Sequence, residues 1–388
     1  MTIHHRGRDA RSRPETGRPL DAAQPGDPSS TTAGSLTRRS LLGAGAALAL
    51  APGVAAAAGA PGSRQPRAVP LGGAIQAEFM APDPAYRQAF LDHCDLIMPM
   101  NGLKFSLVHP QPDEWNFEPA DRVIDFALEN DRLTRGTCHV WWGATPDWLE
   151  RLDTAAEVEA ALVDHIERIG DRYKGRLSGW DVVNEVIAND PLTEGPLRRT
   201  TWMEKLGPNH IPIAFAAAAR VDPDVRLVIN DYDLEFVGPR YDARRQIMLD
   251  IVRQLQDGNI PVHGVGIQGH LYAGRQIDRG GLERFHKELD GLGVGLMVTE
   301  LDVIDWETPP GDAAQDEAAY GLVSDLLDGI FAWKPPEAVI VWGISDRYSW
   351  VSDVLPRPDG HPDRPLPLDR DMRPKPWMSL LDQRLREG

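Results

Sequence analysis

Eight short apolar runs, each followed by a stretch of helical periodicity, most constrain how this 388-residue chain can fold. Apolar runs that alternate with helical segments are typical of repeated βα units. The runs are Leu71–Gln76, Leu96–Met100, Leu133–His139, Gly179–Glu185, Arg226–Asp231, Gly264–Gln268, Leu296–Glu300 and Val339–Trp342. Between them we predict helices at Ala120–Asn130, Ala155–Tyr173, Ile211–Arg220, Arg240–Gln256 and Asp316–Phe331.

Eight parallel strands with crossover helices close most simply into a barrel, so we predict an α/β protein with a single (β/α)8 TIM-barrel domain. The alternative, a doubly wound sheet, needs a glycine-rich phosphate-binding turn after its first strand. Gly72 and Gly73 lie inside the first apolar run and do not supply that turn. In a barrel the chemistry lies at the carboxyl ends of the strands, and candidate site residues are therefore sought there.

The first 58 residues have the pattern of an export signal. Residues 1–36 are rich in Pro, Gly, Ser, Thr and Arg without periodicity, and we expect them to be disordered. Arg38 and Arg39 precede a weakly apolar stretch that ends in four alanines at 55–58, as in a twin-arginine signal peptide. A chance arginine pair before a membrane anchor is the alternative, which Pro52 disfavours. We predict a signal at 1–58, a linker at 59–69, one domain at 70–388, and a secreted or periplasmic location.

The net charge of −17 disfavours nucleic acid and anionic membranes as partners, because such a charge repels polyanions. A hydrophobic fraction of 42% and a charged fraction of 26% are ordinary for a globular protein. Two cysteines, Cys94 and Cys138, are too few for a disulfide framework or a four-cysteine zinc site. We favour two buried free thiols, with a single bridge as the alternative, and we expect a monomer.

Two glutamates stand where apolar strands stop. The fourth run ends in Asn184-Glu185 and the seventh in Thr299-Glu300. Three βα units separate the two glutamates, so their side chains lie on opposite sides of a barrel mouth and can converge on one bond. Two facing carboxyl groups about 5–5.5 Å apart serve retaining glycoside hydrolysis, one as the nucleophile and the other as the acid and then the base. For either glutamate alone, a salt bridge at a strand end is the competing interpretation.

The residues at neighbouring strand ends suit a sugar site. Amides and imidazoles hydrogen-bond sugar hydroxyls, and tryptophan faces cover the apolar C–H faces of pyranose rings. The candidates are Trp141, Trp142, Asn230, Asp231, Tyr232, Gln268, His270, Trp342, Asp346 and Trp350. Tryptophan and histidine are also common in cores, but eleven tryptophans in an acidic chain favour carbohydrate as the ligand.

Five segments together resemble glycoside hydrolase family 10, the endo-β-1,4-xylanases. They are WDVVNE at Trp180–Glu185, INDYD at Ile229–Asp233, GVGIQGHL at Gly264–Leu271, TELDV at Thr299–Val303 and WGISDRYSW at Trp342–Trp350. Their order and spacing match across nearly the whole predicted domain, and a Pro374-Lys375-Pro376 stretch follows before a last helix. The resemblance implies a catalytic (β/α)8 barrel, retention of anomeric configuration, β-1,4-xylan as the substrate, and no cofactor or metal.

The resemblance also implies a role for each site residue by position. Glu185 corresponds to the acid/base, which must hold a proton and release it, and Glu300 to the nucleophile, which must stay ionised. Asn184 would hold the 2-hydroxyl of the sugar next to the scissile bond. His270 would contact Glu300, with Asp302 behind it. The glycone side, which binds the sugars on the non-reducing side of the cut, would be lined by Trp342, Trp350, Gln268 and Tyr232.

The second and third strands depart from the family pattern. The second usually ends in Pro-Glu-Asn-Glu-x-Lys, but PMNGLK at 99–104 keeps only Asn101 and Lys104 as candidate sugar ligands and loses both glutamates. The third usually carries Gly-His and then Trp-His, whereas this chain has Gly-Thr at 136–137 and then Trp141 followed by a second tryptophan. We hypothesise that His139, two residues beyond Thr137 and so on the same face of a strand, partly replaces the missing histidine. These departures put the substrate, rather than the reaction type, in question.

Other interpretations stay open at this point. A metal-dependent barrel hydrolase could use His270, Glu300, Asp302 and Glu185 as ligands, although the HxH that is common on the first strand of such barrels is absent. A non-catalytic carbohydrate-binding barrel is a second alternative, because altered subsites can accompany lost turnover. A Schiff-base aldolase would need a lysine at an inner strand end, and only Lys104 comes near one. Another β-1,4-glycan or short decorated xylo-oligosaccharides are the alternative substrates of a hydrolase.

Overall fold

The computed structural model describes residues 67–388. The predicted signal at 1–58 and the first part of the predicted linker lie outside the described residues, so both stay predictions. The last residues of that linker, from Arg67 on, pack against the folded domain. The Arg67 guanidinium pairs with Asp95 at 2.7 Å and also with Asp382, and the Val69 N–H donates to the carbonyl of Leu385 at 2.9 Å. The start and the end of the described chain are therefore joined.

Eight parallel strands form a nearly closed barrel, which confirms the predicted (β/α)8 fold. A bridge between Leu96 and Leu133 brings the second strand next to the chain that enters the third. The barrel strands are β1 (Leu71–Ile75), β2 (Leu96–Pro99), β3 (Gly136–Trp141), β4 (Gly179–Asn184), β5 (Arg226–Asp231), β6 (Gly264–Ile267), β8 (Gly295–Ile304) and β9 (Val339–Val341). A short strand, β7 (His270–Tyr272), pairs with the far end of β8. Neighbours around the barrel follow the order β2-β1-β9-β8-β6-β5-β4-β3.

Helices connect the strands and cover the outside of the barrel. They are α1 (Ala77–Met80), α2 (Pro84–His93), α3 (Phe105–Val108), α4 (Glu118–Glu129), α5 (Asp147–Glu150), α6 (Ala155–Tyr173), α7 (Pro191–Glu194), α8 (Thr201–Leu206), α9 (His210–Val221), α10 (Pro239–Asp257), α11 (Arg279–Gly291), α12 (Asp312–Phe331), α13 (Trp350–Val354) and α14 (Pro376–Glu387), with 3₁₀ turns at Trp142–Ala144 and Gly207–Asn209. The five predicted helices correspond to α4, α6, α9, α10 and α12. The sequence did not predict α2 or α11. Two glycines in the first turn of α11 obscure its start, which the Asp278 side chain stabilises by accepting from the Gly281 N–H at 2.8 Å.

The barrel interior is apolar on one side and ionic on the other. The apolar side is a cluster of Ala74, Leu96, Met98, Met100, Ala338, Ile340 and Trp342. On β4, Asp181 pairs with Arg135 at 2.7 Å, and each side chain is only 2% exposed. Removing one partner of a buried ion pair costs about 3–5 kcal/mol, because the other charge is left uncompensated. This pair therefore fixes β4 next to the chain that enters β3.

The Pro374-Lys375-Pro376 stretch has a structural role at the end of the barrel. Lys375 Nζ lies 3.0 and 2.8 Å from the two carboxylate oxygens of Asp346, in the loop after β9, and donates to the carbonyl of Arg364 at 2.9 Å. Burial raises the pKa of the Asp346 carboxyl to about 6, and the Lys375 charge opposes that rise. Asp346, which the sequence placed among the sugar-site candidates, thus ties this loop to the start of α14.

Cys94 and Cys138 are buried and unbridged, as the sequence favoured. Burial raises the pKa of both thiols, so neither is a reactive thiolate at neutral pH. Among the helices of residues 67–388, none combines the length and the apolar character needed to cross a membrane.

Candidate active site

A cavity of about 790 Å³ opens at the carboxyl ends of the strands. Glu185 and Glu300 both line it, and so does every predicted substrate-binding residue except His139, namely Asn101, Lys104, Trp141, Asn184, Tyr232, Gln268, His270, Trp342 and Trp350. Glu185 follows β4 and Glu300 lies in β8, so a line between them divides the barrel mouth in two. One half lies over β9, β1, β2 and β3, and the other over β5, β6 and β7.

The backbone and three side-chain donors hold Glu185. Its φ of 57° lies in the left-handed region, which costs a non-glycine residue about 1 kcal/mol or more, so the chain turns sharply after β4. The Glu185 N–H donates to the Asn230 carbonyl at 2.9 Å, and Arg198 Nε donates to the Glu185 carbonyl at 3.0 Å. The carboxyl group accepts from Trp142 Nε1 at 2.7 Å on Oε2 and from Gln268 Nε2 at 3.1 Å on Oε1. These contacts aim the carboxyl group into the cavity.

The Glu300 side chain is buried and lies against the imidazole of His270 and the amide of Asn230. Asn230 Nδ2 donates to its Oε1 at 2.6 Å, and His270 Nε2 lies 3.4 Å from its Oε2. Burial raises the pKa of the Glu300 carboxyl, the hydrogen bond and charge of His270 oppose that rise, and the charge of Glu185 adds to it. Asn230 also donates to Asn184 Oδ1 at 2.9 Å. The sequence named Asn230 as a sugar-site candidate at a strand end, and in the structure it links the predicted nucleophile to the predicted 2-hydroxyl ligand.

Asp302 lies behind His270 and orients it, as the family resemblance implied. His270 Nδ1 is 2.8 Å from Asp302 Oδ1, and Trp350 Nε1 donates to Asp302 Oδ2 at 2.6 Å. The His270 and Trp350 rings meet edge to face at 5.0 Å. Burial opposes a charge on His270, but Asp302 and then Glu300 raise the pKa of its imidazole well above the usual value. His270 is therefore a cation beside Glu300 at neutral pH.

The half of the cavity over β9, β1, β2 and β3 is built around one lysine, and we call it the lysine half. Lys104 Nζ donates to Asn101 Oδ1 at 2.8 Å and lies 4.8 Å from the centre of the Trp141 ring. Burial lowers the pKa of the Lys104 ammonium, which negative charges nearby offset in part. This half is also lined by Gln76, Met100, Thr137 and Trp342 and by residues of the loops after β3 and β9, namely Trp142, Trp350, Asp353 and Val354. Met100 and Thr137, which stand where the family pattern has a glutamate on the second strand and a histidine on the third, are less polar and face the cavity.

The half over β5, β6 and β7 carries two arginines, and we call it the arginine half. Arg240, in the first turn of α10, and Arg275, just after β7, both pair with Asp233, at 2.5 and 3.1 Å. The Arg275 guanidinium also lies 3.8 Å from the centre of the Tyr272 ring. Of the residues that line this half, Tyr232, Gln268 and His270 were predicted from the sequence, and the two arginines were not. Neither arginine follows a barrel strand directly, so the strand-end criterion could not find them.

The prediction that His139 lines the site is wrong. His139 is 1% exposed and stacks on Trp180 with ring centres 4.2 Å apart, on the outer side of β3. The register of β3 against β4 shifts between Thr137 and Val140, so the simple alternation of side chains that the hypothesis assumed does not hold there. Thr137 lines the cavity instead, and no histidine takes the place of the missing family residue.

The arrangement supports acid–base chemistry by two carboxyl groups. Glu300 and Glu185 line the cavity from opposite sides, so a bond held between them can be attacked by one carboxyl group and protonated by the other. The metal-dependent alternative is not supported, because both ring nitrogens of His270 face carboxylates. No group of three or more His, Cys, Asp and Glu side chains within residues 67–388 is arranged to hold a metal ion.

Comparisons with known proteins agree with the site. The chain matches Glycosyl hydrolase family 10 over residues 64–383. It is 33% identical over 300 residues to a beta-1,4-xylanase of Dictyoglomus thermophilum, covering 75% of this chain and 82% of that protein. It is 30% identical over 322 residues to Exoglucanase XynX of Acetivibrio thermocellus, covering 79% of this chain and 28% of that larger protein.

A solved structure extends the comparison to three dimensions. The crystal structure of xylanase 10B from Thermotoga petrophila RKU-1 in complex with xylobiose superposes with a TM-score of 0.71 at 28% identity. The match covers 82% of this chain and 94% of that one. With a barrel fold, two facing glutamates and a family match over most of its length, the chain belongs to glycosyl hydrolase family 10.

Proposed function

We propose that the protein is an endo-β-1,4-xylanase that cleaves xylan by double displacement with retention of configuration. One observation carries the proposal: Glu185 and Glu300 line one cavity from opposite sides and are joined by a chain of amides. Gln268 Nε2 donates both to Glu185 Oε1 at 3.1 Å and to Asn184 Oδ1 at 3.2 Å, and Asn230 continues the chain to Glu300. The two carboxyl groups are thereby fixed relative to each other.

In the first step Glu300 attacks the anomeric carbon while Glu185 gives its proton to the departing glycosidic oxygen. A covalent glycosyl-enzyme forms, and the shortened xylan chain with the new hydroxyl leaves. In the second step Glu185 takes a proton from water, which attacks the same carbon and frees Glu300. The cation on His270 favours the ionised form of Glu300 at the start of each cycle. Asn184 faces the sugar next to the scissile bond and can bind its 2-hydroxyl.

The test compares Glu300→Ala and Glu185→Ala on xylan and on an aryl β-xyloside with a very good leaving group. The first variant should lose turnover of both substrates, because no nucleophile remains. The second should lose roughly 10²–10⁴-fold on xylan, where protonation of the leaving group is needed, but far less in the first step with the aryl substrate. Glu159→Ala, at an exposed glutamate on α6, is the control. Equal losses on both substrates in Glu185→Ala would contradict the assigned roles.

A second candidate substrate is another β-1,4-glycan, or short decorated xylo-oligosaccharides. The similarity to a protein named as an exoglucanase favours keeping it, as do the apolar Met100 and the small Thr137 in the lysine half. Xylan, cellulose and mannan, digested side by side with product analysis, decide between the candidates. Short products from xylan alone support the xylanase, and faster release from cellulose or mannan would replace it. No turnover on any of them would favour a carbohydrate-binding barrel.

We also propose that the protein is exported by the twin-arginine route, on the strength of Arg38 and Arg39 before a weakly apolar stretch. Replacing both by lysine should keep the full-length protein inside the cell, whereas the unaltered protein appears outside the cytoplasm after cleavage near Ala58. Activity and the N-terminal sequence of the exported protein measure this. Export that persists in the double-lysine variant would rule out the route.

A further inference from the structure

The two halves of the cavity hold the two sides of the substrate. Because the scissile bond lies between Glu185 and Glu300, the sugars on one side of the cut must lie over the lysine half and those on the other side over the arginine half. The two halves differ in charge. The lysine half has one buried amine bonded to an amide, whereas the arginine half has two guanidiniums at its surface, with side chains 26% exposed for Arg240 and 35% for Arg275.

The arginine half carries more positive than negative charge. Both guanidiniums share the carboxylate of Asp233, which is only 7% exposed, and it is the sole carboxylate within ion-pair distance of either in residues 67–388. Glu235, the next acidic residue along the chain after Asp233, is fully buried and accepts a hydrogen bond from the Gly269 N–H at 2.8 Å. Burial and the charge of Asp233 raise the pKa of the Glu235 carboxyl to about 7. Glu235 therefore balances the positive charge of the two guanidiniums only in part. Glu307 lies against Gly274, next to Arg275 in the chain, but in the described chain the two guanidiniums have only the Asp233 carboxylate within 4.0 Å.

The arrangement is held in place before any ligand binds. Arg240 donates through Nε to the carbonyl of Asn189 at 2.6 Å and through Nη2 to Asn189 Oδ1 at 3.0 Å. Arg275 donates to Asp233 through Nη1, and its guanidinium lies 3.8 Å from the centre of the Tyr272 ring. Within residues 67–388, the Nη2 and Nε groups of Arg275 have no hydrogen-bond partner. A partly free, oriented guanidinium at the edge of a cleft is suited to bind a planar anion in two parallel hydrogen bonds.

We propose that the arginine half binds a carboxylate carried by the xylan chain, that is, a uronic acid substituent, with Arg275 as its main ligand. The inference rests on the proposed function, since it names the decoration that the same cleft accepts. Neutral sugar hydroxyls do not call for two guanidiniums at one edge of the cleft, whereas a carboxylate does. The overall charge of −17 would repel an acidic polymer, so a local cationic site is needed to hold one.

The experiment compares a xylan that bears uronic acid branches with the same polymer after chemical reduction of its carboxyl groups to alcohols. The two substrates differ only in the charge of the branch. Arg275→Gln should lower kcat/KM on the acidic polymer by roughly three- to tenfold and by less than about twofold on the reduced one, because one charge-assisted contact at a partly exposed site is lost. Arg275→Lys should recover part of the difference. Arg279→Gln, at an exposed arginine on α11, is the matched control and should leave both values unchanged.

The preference of the unaltered enzyme for the acidic polymer should also shrink as salt is raised from 0.05 to about 0.5 M, because the Debye length falls to a few ångströms. Equal losses on the two polymers in Arg275→Gln, or no preference for the acidic polymer at low salt, would overturn the proposal. If the unaltered protein hydrolyses neither polymer, the proposed function fails, not the carboxylate site. In that case, binding of the acidic and the reduced oligosaccharides to Glu300→Ala tests the carboxylate site separately. The proposal requires that the acidic oligosaccharide bind more tightly than the reduced one.

Discussion

His139 makes the stability of the barrel sensitive to acid. It is a fully buried histidine whose Nδ1 has no hydrogen-bond partner among residues 67–388, and burial lowers its pKa to about 3. An unfolded histidine has a pKa of about 6.5. Below that pH the unfolded chain binds a proton that the folded chain excludes, so the free energy of unfolding falls as the pH drops from about 6.5 towards 3.

The size of this loss follows from the two pKa values. At pH 5 the solution is about 1.5 pH units below the unfolded pKa, and at about 1.36 kcal/mol per unit the folded state has lost about 2 kcal/mol relative to pH 7. His139→Leu removes the titrating group and keeps a similar volume. Between pH 7 and pH 5 the variant should therefore lose about 2 kcal/mol less stability than the unaltered protein. Urea unfolding followed by tryptophan fluorescence at both pH values measures the difference.

Other buried groups titrate in the same range but cancel in this comparison. Burial raises the pKa of Asp231 and of Asp346 to about 6, and both carboxyls are present in each variant. His361→Leu replaces an exposed histidine and should reproduce the pH dependence of the unaltered protein. If His139→Leu loses as much stability between pH 7 and pH 5 as the unaltered protein, the excluded proton does not reside on His139 and the reasoning is refuted.

Two further predictions concern the site itself. Asp302→Asn removes the charge that raises the pKa of His270 and leaves one acceptor oxygen for two N–H donors. We expect kcat/KM on xylo-oligosaccharides to fall roughly ten- to hundredfold, as for one charge-assisted hydrogen bond of about 1.5–3 kcal/mol, with activity lost at a lower pH on the alkaline side. An unchanged alkaline limb of the pH profile would contradict this. Trp142→Phe removes the N–H that binds Glu185 Oε2 at 2.7 Å. Because that indole is 47% exposed, we expect only a roughly threefold loss of kcat/KM on xylan, and an equal loss on an aryl β-xyloside would argue against an effect through Glu185.

The barrel and the catalytic pair could be predicted because each depends on a local pattern. Apolar runs at regular intervals mark strands, and the fold then brings every strand end to one face, so Glu185 and Glu300 could be placed together without knowing any contact between them. The same criterion located Gln268, His270 and Tyr232. In each case the residue lies at or just beyond the end of a strand, where its position follows from the topology.

The rest depends on contacts that no local pattern encodes. The prediction for His139 was wrong because a register shift in β3 breaks the alternation of side chains between the two faces of the strand. No local sequence pattern indicates that shift. Arg240 and Arg275 reach the cavity from a helix start and from a loop, and only the shared carboxylate of Asp233 reveals that they meet. Asp346 lies after a strand, as a ligand would, but its partner Lys375 is distant in sequence and turns it into a structural contact.

The hydrogen bond between the Val69 N–H and the Leu385 carbonyl fixes where a segment attached to either end of the described domain begins. Val69 comes just before β1, and its hydrogen bond holds Leu385 of α14 at the same end of the barrel, whereas the cavity opens at the carboxyl-terminal ends of the strands. A fusion partner, an affinity tag or a solid support joined at Arg67 or at Gly388 therefore starts from the floor of the barrel. An enzyme immobilised through either end should keep its cleft clear for a long polymer to thread across.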